Sequence, residues 1–310
     1  MHAVAFTDFG AAPELLELDV PEPAEGEVRV RIHAASVNGF DLAVAAGYLK
    51  DMMEHRFPVV LGKDFAGTVD AVGPGVTGFA RGERVFGVVT KAHLGDGSFA
   101  EFVTVPEAVG LAKLPESVTF TEGAALGLAG SAALSAIDAC GPEAGQTVLI
   151  AGATGGVGTQ AVQLAAQAGA HVIATAHTDQ ERQYVSDLGA AEIVDYTGDV
   201  AAAVLKAHPQ GVDAVVHLAG DPTPLLGAVR NGGKFISTLI GSPAQLPAES
   251  ATVLPVSASA SPATLDRVAA NQAQRHTSVK IQRVYDLEHS AGALADFAGG
   301  TLGKLVITTS

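Results

Sequence analysis

The residues best placed to do chemistry in this chain are small ones. The apolar run Thr147-Val148-Leu149-Ile150-Ala151 breaks into Gly152, Thr154, Gly155, Gly156, Val157 and Gly158, and then resumes with helical spacing. Within that turn Gly156, Gly158 and Ala161 satisfy the G-x-G-x-x-G/A pattern. There one glycine makes the tight turn, one lets the backbone approach a pyrophosphate, and a small third residue lets the helix pack closely on its strand. The phosphates then sit at the helix N-terminus, where free N–H groups and the macrodipole favour negative charge. The chemistry implied is the binding of a dinucleotide. A glycine turn alone is weak evidence; strand, turn, helix and second strand in order give it meaning.

The elements that must position this turn form a βαβ pattern, with apolar strands roughly 25 residues apart separated by Ala-rich helical stretches. The strands fall at Thr147 to Ala151, His171 to Ala176, Glu192 to Asp195, Val212 to Leu218 and Lys234 to Ile240, with a sixth near Val253 to Ser257. Val157, Ala161, Val162, Leu164 and Ala165 give the intervening helix one apolar face. Before residue 121 the pattern is instead short alternating segments between Gly and Pro, which reads as β. After residue 276, strands at Lys280 to Leu287 and Lys304 to Thr308 flank a helix from Glu288 to Ala298 and are expected to return to the first domain. The expected organisation is an α/β chain of two domains, 1–121 with 277–310, and 122–276. Residues 241–262, rich in Ser, Ala and Pro, read as loop, edge strand or both.

Composition narrows the function classes. At 310 residues and 48% hydrophobic the chain can build two well-buried cores. A formal net charge of -15 opposes phosphate backbones and anionic lipid, so neither nucleic acid nor a membrane is an expected partner. One cysteine, Cys140, excludes an intrachain disulfide and a multi-cysteine zinc lobe. With no basic, apolar leader among the first residues and no uninterrupted apolar span, a cytoplasmic location is expected.

The second strand bears on which dinucleotide binds. An NAD site usually carries an acidic residue about 20 residues after the first glycine, and here the chain reads Thr175-Ala176-His177-Thr178. His177, Thr178 and Arg182 are the candidates to hold a 2′-phosphate, which points to NADP(H); Asp179 is a rival ribose ligand, and His177 also reads as a surface loop residue.

Five ordered stretches resemble the zinc-free quinone oxidoreductase branch of the medium-chain dehydrogenase/reductase superfamily: Ala35-Ser36-Val37-Asn38-Gly39-Phe40-Asp41, Pro58 to Gly67, Gly97-Ser98-Phe99-Ala100-Glu101-Phe102, Gly155-Gly156-Val157-Gly158 and Gly303-Lys304-Leu305-Val306-Ile307. The resemblance implies a GroES-like β-rich catalytic domain, a Rossmann doubly wound parallel sheet, and a cofactor in the cleft between them. It implies no catalytic zinc, because Asn38 and Gly62-Lys63-Asp64 stand where the zinc branch has a Cys and a Gly-His-Glu. By the same resemblance Asn38 and Tyr48 face the nicotinamide and Tyr196 contacts the phosphorylated ribose; Leu218 and Ala219, at the end of the fourth strand, are also expected to border the cofactor, although His217 to Gly220 replaces a more usual acidic-containing stretch. Asn38 also reads as the cap of a helix starting near Phe40, and Tyr48 as a packed aromatic. A Lys common in the family is Glu181 here.

The implied reaction is zinc-independent hydride transfer from NADPH to a quinone or an activated C=C bond such as an enone. The alternative is an NADPH-binding redox-sensing or interaction module with little turnover. Homodimers through Rossmann edge strands, near Val253, are what the resemblance implies for assembly. The remaining histidines, including His55, His93, His208, His276 and His289, show no ligand spacing, and Lys63 reads as an ion-pairing residue.

Overall fold

A computed structural model describes residues 1–309. Its first elements are β1 (His2–Phe6), β2 (Glu14–Glu17), β3 (Glu27–Ser36), α1 (Gly39–Ala45), β4 (Glu54–His55), β5 (Val59–Val60), β6 (Asp64–Val72), β7 (Arg84–Val88), β8 (His93–Leu94), β9 (Phe102–Pro106), β10 (Leu111–Lys113) and α2 (Phe120–Cys140). There follow β11 (Thr147–Ala151), α3 (Gly156–Gln167), β12 (His171–Thr175), α4 (Asp179–Asp187), β13 (Glu192–Val194), α5 (Val200–Ala207), β14 (Val212–His217), α6 (Pro222–Leu226), β15 (Val229–Ser237) and β16 (Thr252–Pro255). The last are α7 (Pro262–Ala273), β17 (Ile281–Asp286), α8 (Ser290–Ala298) and β18 (Lys304–Thr308).

The chain forms two compact units, the first comprising Met1–Leu128, Ala260–Arg275 and the segment from Val279 onward, the second Ala129–Ser259 with His276–Ser278. The boundaries differ from those expected at 121 and 276. The first falls within α2, a continuous helix of 21 residues. The second moves because α7 belongs to the first unit, where the Gly110 N–H donates to the Ala260 carbonyl at 2.9 Å and Gln272 Nε2 to Glu122 at 3.2 Å.

The first unit is a GroES-like β fold built on a sheet in the order β10-β7-β6-β3-β18-β17, with β9 also paired to β3. Its alternation is visible in β3, where Val28, Val30 and Ile32 are buried while Arg31 is exposed. The second unit is a Rossmann fold, a parallel sheet in the order β13-β12-β11-β14-β15-β16 that steps outward on both sides of β11. Its strands read as unbroken apolar runs because both faces are covered. Val148, Ile150, Val172, Ala174, Ala214 and Val216 pack into one core with Ala161, Val162 and Ala165 of α3, whereas Leu149, Ala151, Ile173, Val215 and Phe235 pack into another with α5 and α6. Helix α2 is long and apolar enough to cross a membrane by composition, but 78% of its most apolar window is buried within the protein, as in a core helix.

Candidate active site

The C-terminal ends of β11, β12 and β14 meet around a cavity of about 560 Å³. That is the switch point of a doubly wound sheet, where the crossovers on either side of the first strand leave a crevice. Gly152 leaves β11 at φ +88°, a conformation that disfavours a side chain, and a Cβ there would come within 2.9 Å of Ala219 Cβ. Gly155 is the N-cap of α3 and offers no side chain to the first-turn N–H groups, which leaves them for a ligand. Gly158 is the third residue of α3, and a Cβ there would meet Gly152 O at 2.1 Å and Ala153 Cα at 2.7 Å. The glycine roles expected from the motif therefore shift along the chain. The tight turn belongs to Gly152, the open backbone approach to Gly155, and the close helix contact, assigned to Ala161 by spacing, to Gly158.

Of the residues read from the sequence, Gly152, Thr154, Tyr196 and Ala219 line the cavity, with Thr175, Asp199, Val200, Asp221 and Leu225 beside them. Gly156 and Val157 open α3, and Val157 packs partly into the core. Leu218 is half-buried against that same core, its N–H donating to Ala151 O at 2.9 Å. His217 is wholly buried just before it. Its Nε2 faces Gly220 O at 3.1 Å and its Nδ1 faces Ser237 Oγ at 2.9 Å. A carbonyl can only accept, so Nε2 carries the proton and Nδ1 accepts from the serine. Burial depresses the pKa of this imidazole, which keeps it neutral. It fixes the loop that forms one wall of the cavity, a role no local pattern announced.

The ends of β12 and β13 hold the candidate ribose residues. Here His177 Nδ1 lies 3.0 Å from Asp195 Oδ2, Arg182 Nη2 lies 3.2 Å from the same oxygen, and Arg182 Nε donates to His177 O at 3.0 Å. N–H groups of Thr197 and then His177 hold the Asp195 carboxyl far below its ordinary range. Glu181 accepts from the N–H groups of His177 at 2.8 Å and Thr178 at 3.0 Å, and from Tyr196 Oη at 3.2 Å. Partial burial raises its pKa, but those donors outweigh it and leave the carboxyl below its usual value. Thr178 caps α4 by accepting from Glu181 N. His177, Thr178, Arg182 and Tyr196 are thus brought together around two carboxylates: Glu181, already noted in place of the family's Lys, and Asp195, which the sequence reading did not place among them. Asp179, the rival ribose ligand, is exposed in the first turn of α4.

In the first unit a buried polar network surrounds Asn38. Lys304 Nζ donates to Asn38 Oδ1 at 2.6 Å and to Val37 O at 3.0 Å, and lies 3.8 Å from Asp64 Oδ2. Asn38 Nδ2 donates to Ser36 O at 3.1 Å, and Ser36 Oγ to Asp64 Oδ1 at 2.8 Å. The Asn38 N–H donates to Asp41 Oδ2 at 2.8 Å, so Asn38 is indeed the N-cap of α1 as well as a member of the network. Asp41 is 1% exposed, and burial together with the neighbouring Asp64 raises its pKa to about 7. Burial also raises Asp64 and lowers Lys304, each opposed by the other's charge. In place of the ion pair expected of Lys63, its ammonium lies 4.8 Å from the Phe40 ring centroid. Tyr48, read as a packed aromatic or a nicotinamide neighbour, is 77% exposed. His93 pairs with Asp96 at 3.3 Å beside a second cavity of about 570 Å³, where Lys91 is already tied to Glu27 and Asp96.

Residues 24–116 match the alcohol dehydrogenase GroES-like domain family, and residues 156–259 match the zinc-binding dehydrogenase family. The chain is 37% identical over 230 residues to a chloroplast envelope quinone oxidoreductase homolog of Arabidopsis thaliana, covering 71% of this chain and 68% of that protein. It belongs to the quinone oxidoreductase branch of the medium-chain dehydrogenase/reductase superfamily. The quinone oxidoreductase from Coxiella burnetii superposes with a TM-score of 0.89 at 26% identity, over 100% of this chain and 99% of that one. A structure described as an NAD-dependent alcohol dehydrogenase superposes with a TM-score of 0.88 at 30% identity, over 100% of both chains. As a quinone oxidoreductase relative the chain is an oxidoreductase, and its family implies a nicotinamide cofactor. The cradle fits that group: an uncapped helix start, a glycine whose Cβ would strike backbone, and a largely apolar cavity next to both. Asp195 and His217 in the second unit, and Lys304 in the first, are the functional candidates that sequence reading missed. Only long-range contacts single them out, although Lys304 stands inside a motif that the resemblance had marked.

Proposed function

We propose that this chain reduces quinones or activated C=C bonds with NADPH, without a catalytic metal. The observation that carries the reading is the juxtaposition of the uncapped α3 N-terminus with the Gly152–Gly158 contact above the cavity. A bound nicotinamide would supply a hydride to an electrophilic carbon; the protein's part is to hold and orient. The N–H groups at Gly155, Gly156, Val157 and Gly158 would hold the pyrophosphate, while Gly152, Thr154, Leu218 and Ala219 shape the wall beside it. His177, Thr178, Arg182 and Tyr196 would take the phosphorylated ribose. The pairs that now join His177 and Arg182 to Asp195 are partly exposed, and a phosphate would have to take the place of that carboxylate. At the substrate end, Tyr48 has an exposed hydroxyl that can donate to negative charge developing on the acceptor oxygen, and Asn38 can do so by releasing an amide hydrogen now shared with Ser36 O and Asp64. A quinone makes small demands on a dedicated acid, because its reduced oxyanion can take a proton from solvent.

A second reading, NADH as the working cofactor, is favoured by Asp195 and Glu181, whose charges oppose a phosphate dianion at this corner. The deciding experiment is fluorescence titration with NADPH and NADH side by side, followed by steady-state oxidation of the tighter binder with a panel of quinones and enones. Tighter NADPH binding with turnover supports the proposal, whereas tighter NADH binding transfers the assignment to the second reading. Tight binding without turnover on any acceptor would instead identify a redox-sensing module. The assembly proposed is a homodimer through β16, the outer strand of the Rossmann sheet, and the proposed location is the cytoplasm.

A further inference from the structure

At the end of the Rossmann sheet opposite the nucleotide cavity, three side chains from separate stretches of chain converge. His171 opens β12, Glu192 opens β13, and His208 is the C-cap of α5. His171 Nε2 lies 2.6 Å from Glu192 Oε1, and His208 Nε2 lies 3.1 and 3.2 Å from Glu192 Oε1 and Oε2. The two imidazole centroids are 5.9 Å apart, and one ligand atom from each residue falls within 4.8 Å of the others. Sequence separations of 21 and 16 residues hid this cluster from any search by spacing.

We propose that His171, Glu192 and His208 form a binding site for a divalent transition-metal ion, with Zn²⁺ as the reference ion. Two imidazole nitrogens and one carboxylate are a donor set that suits zinc, nickel, cobalt or copper and not the oxygen-seeking magnesium or calcium. An ion about 2.0–2.2 Å from each donor in tetrahedral geometry sets the donors about 3.3 Å from one another, close to the distances between Glu192 and the two histidines. Both histidines direct Nε2 at the same carboxylate, so an ion at their centre replaces the two N–H bonds without moving the main chain. That main chain is held by regular structure. β13 pairs with β12 through Ile173 and Glu192, and the His208 N–H donates to Val204 O at 2.8 Å in the last turn of α5. The side chains are 39%, 37% and 23% exposed for His171, Glu192 and His208, which gives an ion access and leaves room for water as the remaining ligand.

The site has a structural consequence. Helix α5 begins at Val200 after its N-cap Asp199, and both residues line the nucleotide cavity. An ion at the other end of α5 would fasten the helix to β12 and β13 and so stiffen that wall.

The test is calorimetric titration of the chelator-treated full-length protein with ZnCl₂, with Co²⁺ absorption as the report of coordination. The expected result is one ion per chain at micromolar affinity, visible d–d bands with cobalt, and a higher unfolding temperature in zinc. Loss of an outer-shell partner alone costs metal sites about 10- to 100-fold, so His171→Gln and His208→Gln should each weaken zinc binding at least about 100-fold. Circular dichroism and nucleotide binding confirm that each variant is folded. His208→Gln, at a helix cap, serves if His171→Gln fails that check. No saturable binding by the wild-type protein at about 0.1 mM zinc, or binding that survives both substitutions, overturns the proposal and leaves a hydrogen-bonded clasp.

Discussion

Asp41 lets the buried network around Asn38 be tested quantitatively. Its carboxyl is pushed from an ordinary value of 3.8 to about 7 by burial and then by Asp64, against the pull of Lys304 and Lys63. The native state therefore keeps a proton that the unfolded chain releases as pH rises above 3.8. Stability from this group is fully present below that value, declines across the interval, and is gone above about 7. A displacement of about three pH units at about 1.4 kcal/mol each gives about 4 kcal/mol. Coupling to Asp64 and Lys304 reduces what one group can contribute, so about 2–4 kcal/mol is the range expected. Asp41→Asn removes the titration while keeping an oxygen to accept from the Asn38 N–H, a bond of 2.8 Å in the wild type. Urea unfolding of both proteins from pH 4.5 to 8.5 should show the variant gaining on the wild type up to about pH 7, with a constant difference thereafter. A carboxyl carbon resonance titrating near pH 7 in the wild type is the direct check. Parallel stability curves, differing by the same amount at every pH, would mean that Lys304 and Lys63 keep Asp41 ionised and would refute the reasoning.

Three further outcomes follow from contacts described above. Gly158→Ala should weaken nucleotide binding and destabilise the second unit by about 1–3 kcal/mol, because the new Cβ meets backbone at 2.1 Å and α3 must move; fluorescence titration and thermal unfolding measure the two effects. Lys304→Met leaves Asp64 and Asn38 buried without their cation and should cost about 3–5 kcal/mol, read by denaturant unfolding. Asp195→Asn should raise the NADPH-to-NADH affinity ratio severalfold by freeing His177 and Arg182 for a phosphate, and an unchanged ratio would remove Asp195 from the ribose corner.

The Rossmann unit was the more legible half of the fold, for a physical reason. Strands covered on both faces must be apolar throughout, so β11 stands at Thr147–Ala151 as expected and β12, β13 and β14 end within a residue of expectation. β15 was expected at Lys234 but begins at Val229, where Arg230, Asn231 and Gly232 are exposed and mask the strand. In the unclear stretch 241–262 the structure has β16, and α7 begins at its end, after the Ser261 cap. The short strands β4, β5 and β8 carry two residues each and leave no periodicity to read. In the candidate site, the glycine turn was visible because its constraint is local. Asp195 against His177, Lys304 against Asn38 and His217 against Ser237 depend on partners distant in the chain, and no spacing rule reports those.

The strand that carries Lys304 lies inside its sheet, between β3 and β17, and its lysine reaches a carbonyl 267 residues upstream. During synthesis β9 covers Glu27 to Arg31 of β3 early, but Ala34 to Ser36 emerge with one side lacking a neighbour for almost the whole translation time, while the intervening Rossmann strands can pair with partners made soon after them. The second unit should accordingly close first. The first should lock only when the tail threads into its place, leaving the nascent chain with an open β edge that other proteins in the cell must tolerate or shield.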